Sequence, residues 1–521
     1  MGCMNSWRNT YRGSYSGTCY QVFLQRNLAW HATMDDYLMA IPASRQGGIR
    51  KNLDDGSISH LPSTQEHRST EHGLLSVPYN HLKMLSFFLL AVILSFLAFS
   101  YAGPTHAGWK WRKPLRFTKE GTFQIAVFAD LHFGENAWDP WGPEQDANSV
   151  LVMNRVLDAE NQQLVVLNGD LITGENAYLS NSTATIDQIV GPIVRRGLPF
   201  ATTYGNHDSQ YNLSRDAIFA HEHRYRNSMT NPMIRGGDAG VTNYYLPVYP
   251  SKGGREPCLI LWFFDSRGGF YFREQKANGD GVGQPDWVDQ SVVEWFQQSN
   301  ALLTQRYQRI IPSLAFVHIP TNASAALQTG PGVDPNTEPG INDDYPLAPQ
   351  AQGWCPNGTD GGCDYGGQDT PFMQAITTTP GLMALFSGHD HGNTWCYKWD
   401  QLVPGMVVAG NGLNLCFNQH SGYGGYGTWT RGAREVLITE KKLGNCEIDT
   451  WIRLETGAVV GSVTLNSTYG NDSYPATPNT NSICSTCNYT NITPMPASKD
   501  DVLRNRAKSI SGTRKAIWNG N

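Results

Sequence analysis

The sequence predicts an α/β domain built from layers of helices and sheets. Short apolar runs of strand length recur along the chain, and each ends at a polar or glycine-rich turn. Segments with helical spacing lie between several of these runs. Buried strands that alternate with helices are typical of layered α/β folds, in which ligands bind beyond the carboxyl ends of the strands.

The predicted elements follow one another from residue 120 onward. Six apolar runs are predicted to be buried strands, at residues 123–129, 164–167, 199–204, 258–264, 313–317 and 383–386. Three segments are predicted to be helices, at residues 149–160, 185–196 and 285–306. Later runs predict strands of a second sheet packed on the first, at residues 406–409, 435–438, 447–454 and 459–465.

Two regions depart from this alternation. Residues 321–380 are rich in Gly, Pro, Asn and Asp, and predict a loop near the site that a disulfide between Cys355 and Cys363 pins. Residues 466–521 are rich in Ser, Thr and Asn with basic residues at the end, and predict a flexible, glycosylated tail. The folded domain is therefore expected to span residues 120–465.

An apolar stretch near the N-terminus predicts entry into the secretory pathway. Residues 85–101 follow Lys83 and Met84, and they end at small residues of the kind that a signal peptidase reads. We interpret residues 84–102 as a cleaved signal peptide, with an uncleaved single-pass membrane anchor as the alternative. Residues 1–83 show no sustained periodicity and are expected to be disordered or an artefact upstream of a true start at Met84.

Cysteines and glycosylation sequons agree with a secreted protein or one in the lumen of the secretory pathway. Eight cysteines follow residue 102, and this even number predicts disulfides, above all within the local pairs Cys355/Cys363 and Cys484/Cys487. The same region contains eight Asn-x-Ser/Thr sequons. They begin at Asn181, Asn212, Asn322, Asn357, Asn466, Asn471, Asn488 and Asn491.

Five groups of polar residues each follow a predicted strand. In chain order they are Asp130-Leu131-His132, Gly169-Asp170, Gly205-Asn206-His207-Asp208, His318 and Gly388-His389-Asp390-His391. An α/β fold gathers ligands at the carboxyl ends of its strands, so these groups are expected to share one site. Imidazole nitrogens combined with carboxylate and carboxamide oxygens suit zinc, iron or manganese.

The number of candidate ligands is sufficient for two metal ions. A carboxylate can bridge two cations, and two metals about 3.5 to 4 Å apart can share a hydroxide and clamp the attacking and leaving oxygens of a phosphoryl group. Seven residues, one of them bridging, would supply such a pair. The residues alone therefore predict a metal site with hydrolytic chemistry.

The five motifs, in this order, resemble those of the calcineurin-like metallophosphoesterase superfamily over residues 120–455. The resemblance implies a four-layer α/β/β/α sandwich of two mixed sheets with a dinuclear metal site. It also implies two groups of ligands bridged by one carboxylate. These are Asp130, His132 and His391 for one metal, Asn206, His318 and His389 for the other, and Asp170 as the bridge.

The resemblance implies that His207 binds no metal. It is expected to lie over the phosphate, stabilise the transition state and help to protonate the leaving group, while Asp208 orients it. Asp390, between the two histidines of the last motif, is not expected to be a ligand.

Within the superfamily, the sequence is most similar to short purple-acid-phosphatase-like proteins. The run Gly-Val-Thr-Asn-Tyr-Tyr-Leu at residues 240–246 and the strand end at residues 264–266 carry this similarity. True purple acid phosphatases have a tyrosine three residues after the bridging aspartate, whereas this chain has Thr173 there. A purple Fe(III) centre is therefore not implied, and the expected cofactors are two divalent or mixed-valence ions of Fe, Zn or Mn.

Aromatic residues after the last motif allow two interpretations. Trp395 and Tyr397 could stack on an organic leaving group or pack in the core. Residues 422–427, with Tyr423 and Tyr426, could flank the pocket or form a mobile loop.

The leading functional prediction is a metal-dependent phosphoesterase that hydrolyses small-molecule phosphomonoesters through a hydroxide bound to both metals. The alternatives are a phosphodiesterase that acts on lipid head groups or nucleotides, and an inactive metal-binding or scaffold protein. The net charge of -6 is small for 521 residues and argues against nucleic acid as a main partner. A membrane is an expected partner only if residues 85–101 stay as an anchor, and the oligomeric state is left open.

Overall fold

The computed structural model describes residues 113–177, 182–234, 238–483 and 492–493. The predicted signal or anchor at residues 84–102 and the segment before it lie outside the described residues, as does the predicted pair Cys484/Cys487. Over the described ranges, none of the helices has both the length and the apolar character needed to cross a bilayer.

The helices and strands recur along the whole described part of the chain. The strands are β1 (Leu115–Arg116), β2 (Thr122–Phe128), β3 (Leu164–Asn168), β4 (Phe200–Thr203), β5 (Tyr244–Tyr249), β6 (Leu259–Phe264), β7 (Phe270–Gln275), β8 (Gly281–Gly283), β9 (Ser313–Val317), β10 (Gln352–Trp354), β11 (Asp360–Tyr365), β12 (Leu382–Ser387), β13 (Cys396–Trp399), β14 (Leu413–Phe417), β15 (Gly432–Thr439), β16 (Ile448–Leu454) and β17 (Val459–Leu465). The α-helices are α1 (Trp141–Ala159), α2 (Ile186–Arg195), α3 (Arg215–Glu222), α4 (Gln290–Tyr307), α5 (Asn322–Thr329) and α6 (Thr370–Thr378).

Two large mixed sheets organise the fold. Sheet A has seven strands in the order β1-β5-β6-β9-β12-β14-β13, and sheet B has six in the order β17-β16-β15-β2-β3-β4. Within sheet A, β6, β9, β12 and β14 run parallel. Within sheet B, β2, β3 and β4 run parallel, and β15 joins β2 in the antiparallel sense. Two hairpins, β7-β8 and β10-β11, stand outside these sheets.

Each sheet is covered on one face by helices. Helices α1 to α3 share a buried apolar cluster with β2, β3 and β4, and helices α4 to α6 share another with β6, β9, β12 and β14. Successive side chains of a strand point to opposite faces, so each of these strands also has a second buried face. Phe263, Phe316 and Phe386 stack on that face of sheet A, with ring centroids 5.2 and 5.5 Å apart. The predicted α/β/β/α sandwich is confirmed.

The six predicted buried strands are confirmed with limits shifted by at most one residue, and all three helices exist. Helix α1 begins eight residues before the predicted start of 149, because its first turns bury polar and small side chains such as Gln145 and Asp146 that give no apolar period.

The predicted strand at 406–409 is wrong. Val407 is 80% exposed there, and Met406 N donates to Val403 O in a turn.

The region 321–380 is less irregular than predicted, because it contains α5, β10, β11 and α6. The disulfide Cys355–Cys363 is present in it, as predicted. A second disulfide joins Cys396 and Cys416, a pair that the local spacing of the cysteines does not predict. These two cysteines lie 20 residues apart in sequence, and only the antiparallel register of β13 and β14 places them opposite each other.

The folded region extends beyond the predicted limits of 120 and 465. Strand β1 pairs with β5 before residue 120. After residue 465, Tyr469 is fully buried and its hydroxyl donates to Cys396 O at 2.7 Å. At least the first part of the Ser/Thr/Asn-rich segment therefore packs on the domain, although its composition is typical of a flexible tail.

Candidate metal centre

The carboxyl ends of strands from both sheets meet at one place. The polar groups follow β2, β3 and β4 of sheet B and β9 and β12 of sheet A. Asn168, the last residue of β3, donates from Nδ2 to Val317 O at 3.2 Å and to Phe386 O at 3.3 Å. This one carboxamide therefore ties the end of β3 to the ends of β9 and β12.

The backbone is strained where several candidate ligands leave their strands. Four of them adopt left-handed backbone angles, with φ of 55° at Asp130, 48° at His132, 49° at Asp170 and 76° at His389. Non-glycine residues in this region are uncommon and cost free energy, and they concentrate at functional sites. Such bends turn side chains sharply away from the strand direction.

The glycines of the motifs allow the loops to approach each other. A Cβ atom on Gly205 would lie 2.2 Å from Asp170 Oδ1, and one on Gly169 would lie 2.2 Å from His318 Nδ1. Any side chain at these positions would therefore displace a candidate ligand. The glycine in each motif is explained by this close packing.

We expect Gly205→Ala to destabilise the fold by about 1–3 kcal/mol, the usual cost of inserting a methyl group where no space exists. Chemical denaturation of the purified protein measures this change. Gly444→Ala is the matched control, because a Cβ at Gly444 meets no atom within 4 Å. Equal unfolding free energies for the two variants would show that the Gly205 turn can relax.

Six of the seven predicted ligands form two compact groups. Within each group, one possible ligand atom per residue lies within 4.8 Å of the others. The groups are Asp130, His132 and His391, and Asp170, His318 and His389. Asp130 and the four histidines divide between the groups as the resemblance implied, and the role of every predicted ligand, including Asn206, stays a prediction.

Asp170 lies between the two groups. Its Oδ2 is 2.9 Å from His318 Nε2 in its own group and 3.9 Å from His132 Nε2 in the other. Asp130 also faces both groups, since its Oδ1 lies 3.7 Å from His391 Nε2 and 3.9 Å from His318 Nε2. Both carboxylates therefore face the two groups, and the role of Asp170 as the bridging ligand stays a prediction.

Outer hydrogen bonds orient three of the imidazoles. His318 Nδ1 donates to Asn168 O at 2.9 Å, and His391 Nδ1 donates to Tyr426 O at 2.8 Å. A ring nitrogen that donates to a carbonyl carries a proton, so Nε2 is the nitrogen of each ring that faces the other candidate ligands. His132 Nδ1 lies 3.0 Å from Thr173 Oγ1. Thr173, at the position of the tyrosine in purple acid phosphatases, therefore supports a candidate ligand.

The candidate ligands differ in protonation. Burial lowers the pKa of His318, but the Asp170 carboxylate outweighs it and raises that pKa to about 9, and burial raises the pKa of Asp130 to about 7. Burial lowers the pKa of His132 and of His389 to about 3, so both imidazoles are neutral at physiological pH. Burial acts to raise the pKa of Asp170, but the charges of His318 and His207 outweigh it and keep that pKa well below its usual value. Neutral imidazoles and an ionised carboxylate are the forms that bind metal.

The donor set fits a pair of metal ions. Asn206 Oδ1 and His389 Nδ1 are buried without a hydrogen-bond partner, and such groups are costly in a protein interior. His132 Nε2 and His391 Nε2 lie only 3.1 Å apart. A cation would satisfy these atoms, and a mixture of imidazole nitrogens with carboxylate and carboxamide oxygens suits Fe, Zn or Mn.

His207 lies beside the two groups without joining either. Its Nδ1 lies 2.6 Å from Glu175 Oε1, and its backbone N donates to Asp170 Oδ1 at 2.8 Å. Burial lowers the pKa of His207, but the carboxylates of Asp170 and Glu175 outweigh burial and raise it to about 10. The contact with Glu175 fixes the ring and favours its protonated form.

Asp208 was expected to orient the His207 ring, but its carboxylate bonds to backbone N–H groups instead. Its two carboxylate oxygens accept backbone hydrogen bonds, at 2.8 to 3.0 Å, from Leu171, Ile172 and Gly205. Asp208 therefore fixes the turns after β3 and β4, while Glu175 contacts the ring. The sequence analysis did not identify Glu175, which lies in a short 3-10 helix (Gly174–Asn176) after β3; its place five residues after Asp170 is the one signal in the sequence.

We expect Glu175→Gln to lower turnover about tenfold while metal content stays at the wild-type level, because the neutral amide stabilises the imidazolium form of His207 less than the carboxylate does. The loss should be larger for alkyl phosphates than for aryl phosphates, whose leaving groups need less protonation. Steady-state kinetics with both substrate types measures this ratio. Glu294→Gln, on the exposed face of α4, is the control, and an equal loss for both substrate types would contradict the role of Glu175.

A cavity of about 180 Å³ opens onto this site. Besides candidate ligands and His207, it is lined by Ala348, Asp390, Gly425 and Tyr426. The Tyr426 ring stacks on His391 with centroids 4.0 Å apart. The segment at residues 422–430, which we call the glycine-tyrosine loop, therefore flanks the pocket. Of the two interpretations of residues 422–427, flanking the pocket is the one that the structure supports. Trp395 is fully buried against Leu347 and Phe417 and belongs to the core instead.

Comparison with known proteins agrees with the fold and the motifs. The profile of the calcineurin-like phosphoesterases matches residues 123–393, just over half of the chain. The chain belongs to the calcineurin-like phosphoesterase family. The match includes all five motifs and ends two residues after His391.

The names of similar proteins disagree about activity, since one is called inactive and others are called phosphatases. An Arabidopsis thaliana protein named probable inactive purple acid phosphatase 29 is 27% identical over 401 residues, covering 71% of this chain and 92% of its own length. Phosphatase DCR2 of Saccharomyces cerevisiae is 26% identical over 378 residues, covering 69% of this chain and 58% of its own. The solved structure of a dimetal phosphatase from Danio rerio is 14% identical, with a TM-score of 0.38, and covers 66% of this chain and 98% of its own.

Proposed function

We propose that this calcineurin-like phosphoesterase is an active, metal-dependent hydrolase of small phosphomonoesters. The observation that carries the proposal is the meeting of two ligand groups at Asp170, with His207 on the wall of the same cavity. An inactive descendant would be free to lose these residues, whereas all of them are present in this chain.

The side chains can perform distinct parts of the reaction. Metal ions held by the two groups would polarise the phosphate and activate water. His207, with Nδ1 on Glu175, can hold a proton on its other nitrogen and give it to the leaving alkoxide. Asp208 keeps the turn that carries His207 in place. The cavity walls at Ala348 and Tyr426 limit how much of the leaving group enters with the phosphate.

The size of the cavity supports monoesters over diesters. At about 180 Å³ it is smaller than the roughly 300–1,000 Å³ typical of sites that enclose a drug-sized ligand. A panel of aryl and alkyl monoesters and diesters, assayed across pH with Mn, Zn and Fe supplied, tests the proposal. A higher kcat/KM for diesters of lipid head groups or nucleotides would favour the phosphodiesterase alternative.

The second candidate is an inactive metal-binding protein. The name of the Arabidopsis relative, at 27% identity, favours it. Metal analysis after chelator-free purification separates the two. Well under one metal per chain, together with no hydrolysis of a generic aryl phosphate, would support the inactive form and contradict our proposal.

We further propose that the protein follows the secretory pathway and is glycosylated. Two disulfides within the described residues support this location, since disulfides persist in oxidising compartments. Among the described sequons, Asn357 and Asn471 are exposed. Expression in eukaryotic cells, followed by glycosidase treatment and mass spectrometry, should find glycans at these two positions in the medium or lumen. An unmodified cytosolic product would contradict this proposal.

A further inference from the structure

Tyr426 positions His391 through three contacts. The Tyr426 carbonyl accepts from His391 Nδ1, and the Tyr426 hydroxyl accepts from His391 N at 3.1 Å. The two rings also stack. The orientation of this candidate ligand therefore depends on the conformation of the glycine-tyrosine loop.

The glycine-tyrosine loop contains residues that give it little conformational preference of its own. Gly425 and Gly427 have φ of +72° and +86°, a region in which glycine is favoured. Glycine also loses more conformational freedom than other residues when it is fixed. The loop therefore needs support from elsewhere to keep Tyr426 in place.

Part of that support comes from Glu135, which accepts from Gly425 N, and from Arg431, which donates to Gly427 O. The rest comes from a short segment near the C-terminal end of the described chain, which we call the C-terminal strap (residues 479–482). Thr430 N donates to Thr480 O, and Ser482 N donates to Thr428 O, both at 2.8 Å. Side chains add to this pairing, since Thr428 Oγ1 donates to Asn481 Oδ1 at 2.9 Å. The strap thus pairs with the loop as one strand pairs with another.

The strap also reaches the opposite side of Tyr426. Asn479 Nδ2 donates to Asp343 Oδ2 at 3.1 Å, and Trp429 Nε1 donates to the same oxygen at 2.8 Å. The neighbouring Asp344 accepts a hydrogen bond from the Tyr426 hydroxyl. Loop, strap and the segment at residues 343–344 therefore form one connected network around Tyr426.

We propose that the C-terminal strap is a positioning element for the metal site. Its pairing with residues 428 and 430 keeps the glycine-tyrosine loop in the conformation that orients His391. The strap thereby sets the affinity for the metal held by Asp130, His132 and His391, and it has less influence on the metal held by the other group. This inference rests on the proposed metal site.

The test compares Ser482→Pro with Ser482→Ala in the full-length chain. Both substitutions remove the Ser482 hydroxyl, which donates to Glu455 Oε1, but only proline removes the N–H that bonds to Thr428 O. We expect the proline variant to speed hydrogen exchange in the peptide that contains Thr430. We also expect it to raise the apparent Kd of one of two Mn²⁺ ions, titrated into metal-free protein, by about tenfold or more, as is typical when an outer partner of a ligand is lost. The alanine variant should change neither quantity more than about twofold.

Several outcomes would overturn the inference. Unchanged hydrogen exchange in the proline variant would show that the strap does not support the loop. Faster exchange with both metal affinities unchanged would show that the loop does not position His391. If Ser482→Pro does not fold, Asn481→Ala, which removes the acceptor for Thr428 Oγ1, should show the same pattern at smaller amplitude. A wild-type chain that binds no metal would contradict the proposed function instead, and its exchange rates would still decide whether the strap holds the loop.

Discussion

Replacing Asp170 by asparagine is expected to remove at least one metal per chain and to lower turnover by about a thousandfold or more. The carboxylate lies within 4 Å of imidazoles from both ligand groups, so its loss weakens both positions at once. Lewis-acid stabilisation by a metal is worth several kcal/mol in the transition state, and each 1.36 kcal/mol is a factor of ten in rate. Metal analysis and kinetics with an aryl phosphate measure the two losses.

Asp390→Asn is the matched control for metal content. Asp390 lies between His389 and His391 in sequence, but its Oδ1 accepts from Ala348 N and it belongs to neither ligand group. We therefore expect this variant to keep both metals. If the Asp170→Asn variant still bound two metals per chain, this result would contradict the bridging role of Asp170.

Replacing His207 by alanine is expected to lower turnover several hundredfold, on the usual scale of about 10²–10⁴ for acid catalysis, with metal content nearly unchanged. The ring contacts Glu175 and lies outside both ligand groups, so its removal should take away proton transfer without taking away a ligand. Kinetics with alkyl and aryl phosphates, combined with metal analysis, separate these effects.

His221→Ala provides the comparison for His207→Ala. His221 pairs with the exposed Asp187 at 2.7 Å, at the end of α3 and away from the cavity lining, so this variant should keep wild-type turnover. Unchanged turnover in His207→Ala would remove its role as an acid. Loss of metal in that variant would show that the ring supports the ligands instead.

The sequence predicted the buried strands and the polar residues at their ends because both depend on local pattern. Each buried strand is a short apolar run, and each candidate ligand follows directly after one. The beginning of α1 was less predictable because its first turns bury Gln145 and Asp146, whose burial depends on tertiary partners such as the N–H of Gly134. Apolar periodicity contains no information about such partners.

The sequence pattern does not predict the residues that support the site without lining it. Tyr426 lies 35 residues after His391, and the strap lies about 50 residues after the loop that it pairs with. Their partners are decided by the packing of long connections. Serine, threonine and asparagine in the strap are equally suited to a flexible tail and to edge hydrogen bonds. Composition alone therefore does not predict that Tyr469 is buried or that the strap pairs with the loop.

Asn168 joins β3 of sheet B to β9 and β12 of sheet A, and the two ligand groups join the same two sheets. Asp130 and Asp170 come from sheet B, whereas His318, His389 and His391 come from sheet A, so each ligand group draws on both sheets. A half-assembled sandwich has neither complete group, so metal ions bound at the proposed site would favour the docked state by mass action. Metal retention is thus a readout of sandwich assembly, and chelation should weaken the seam between the sheets before either sheet unfolds.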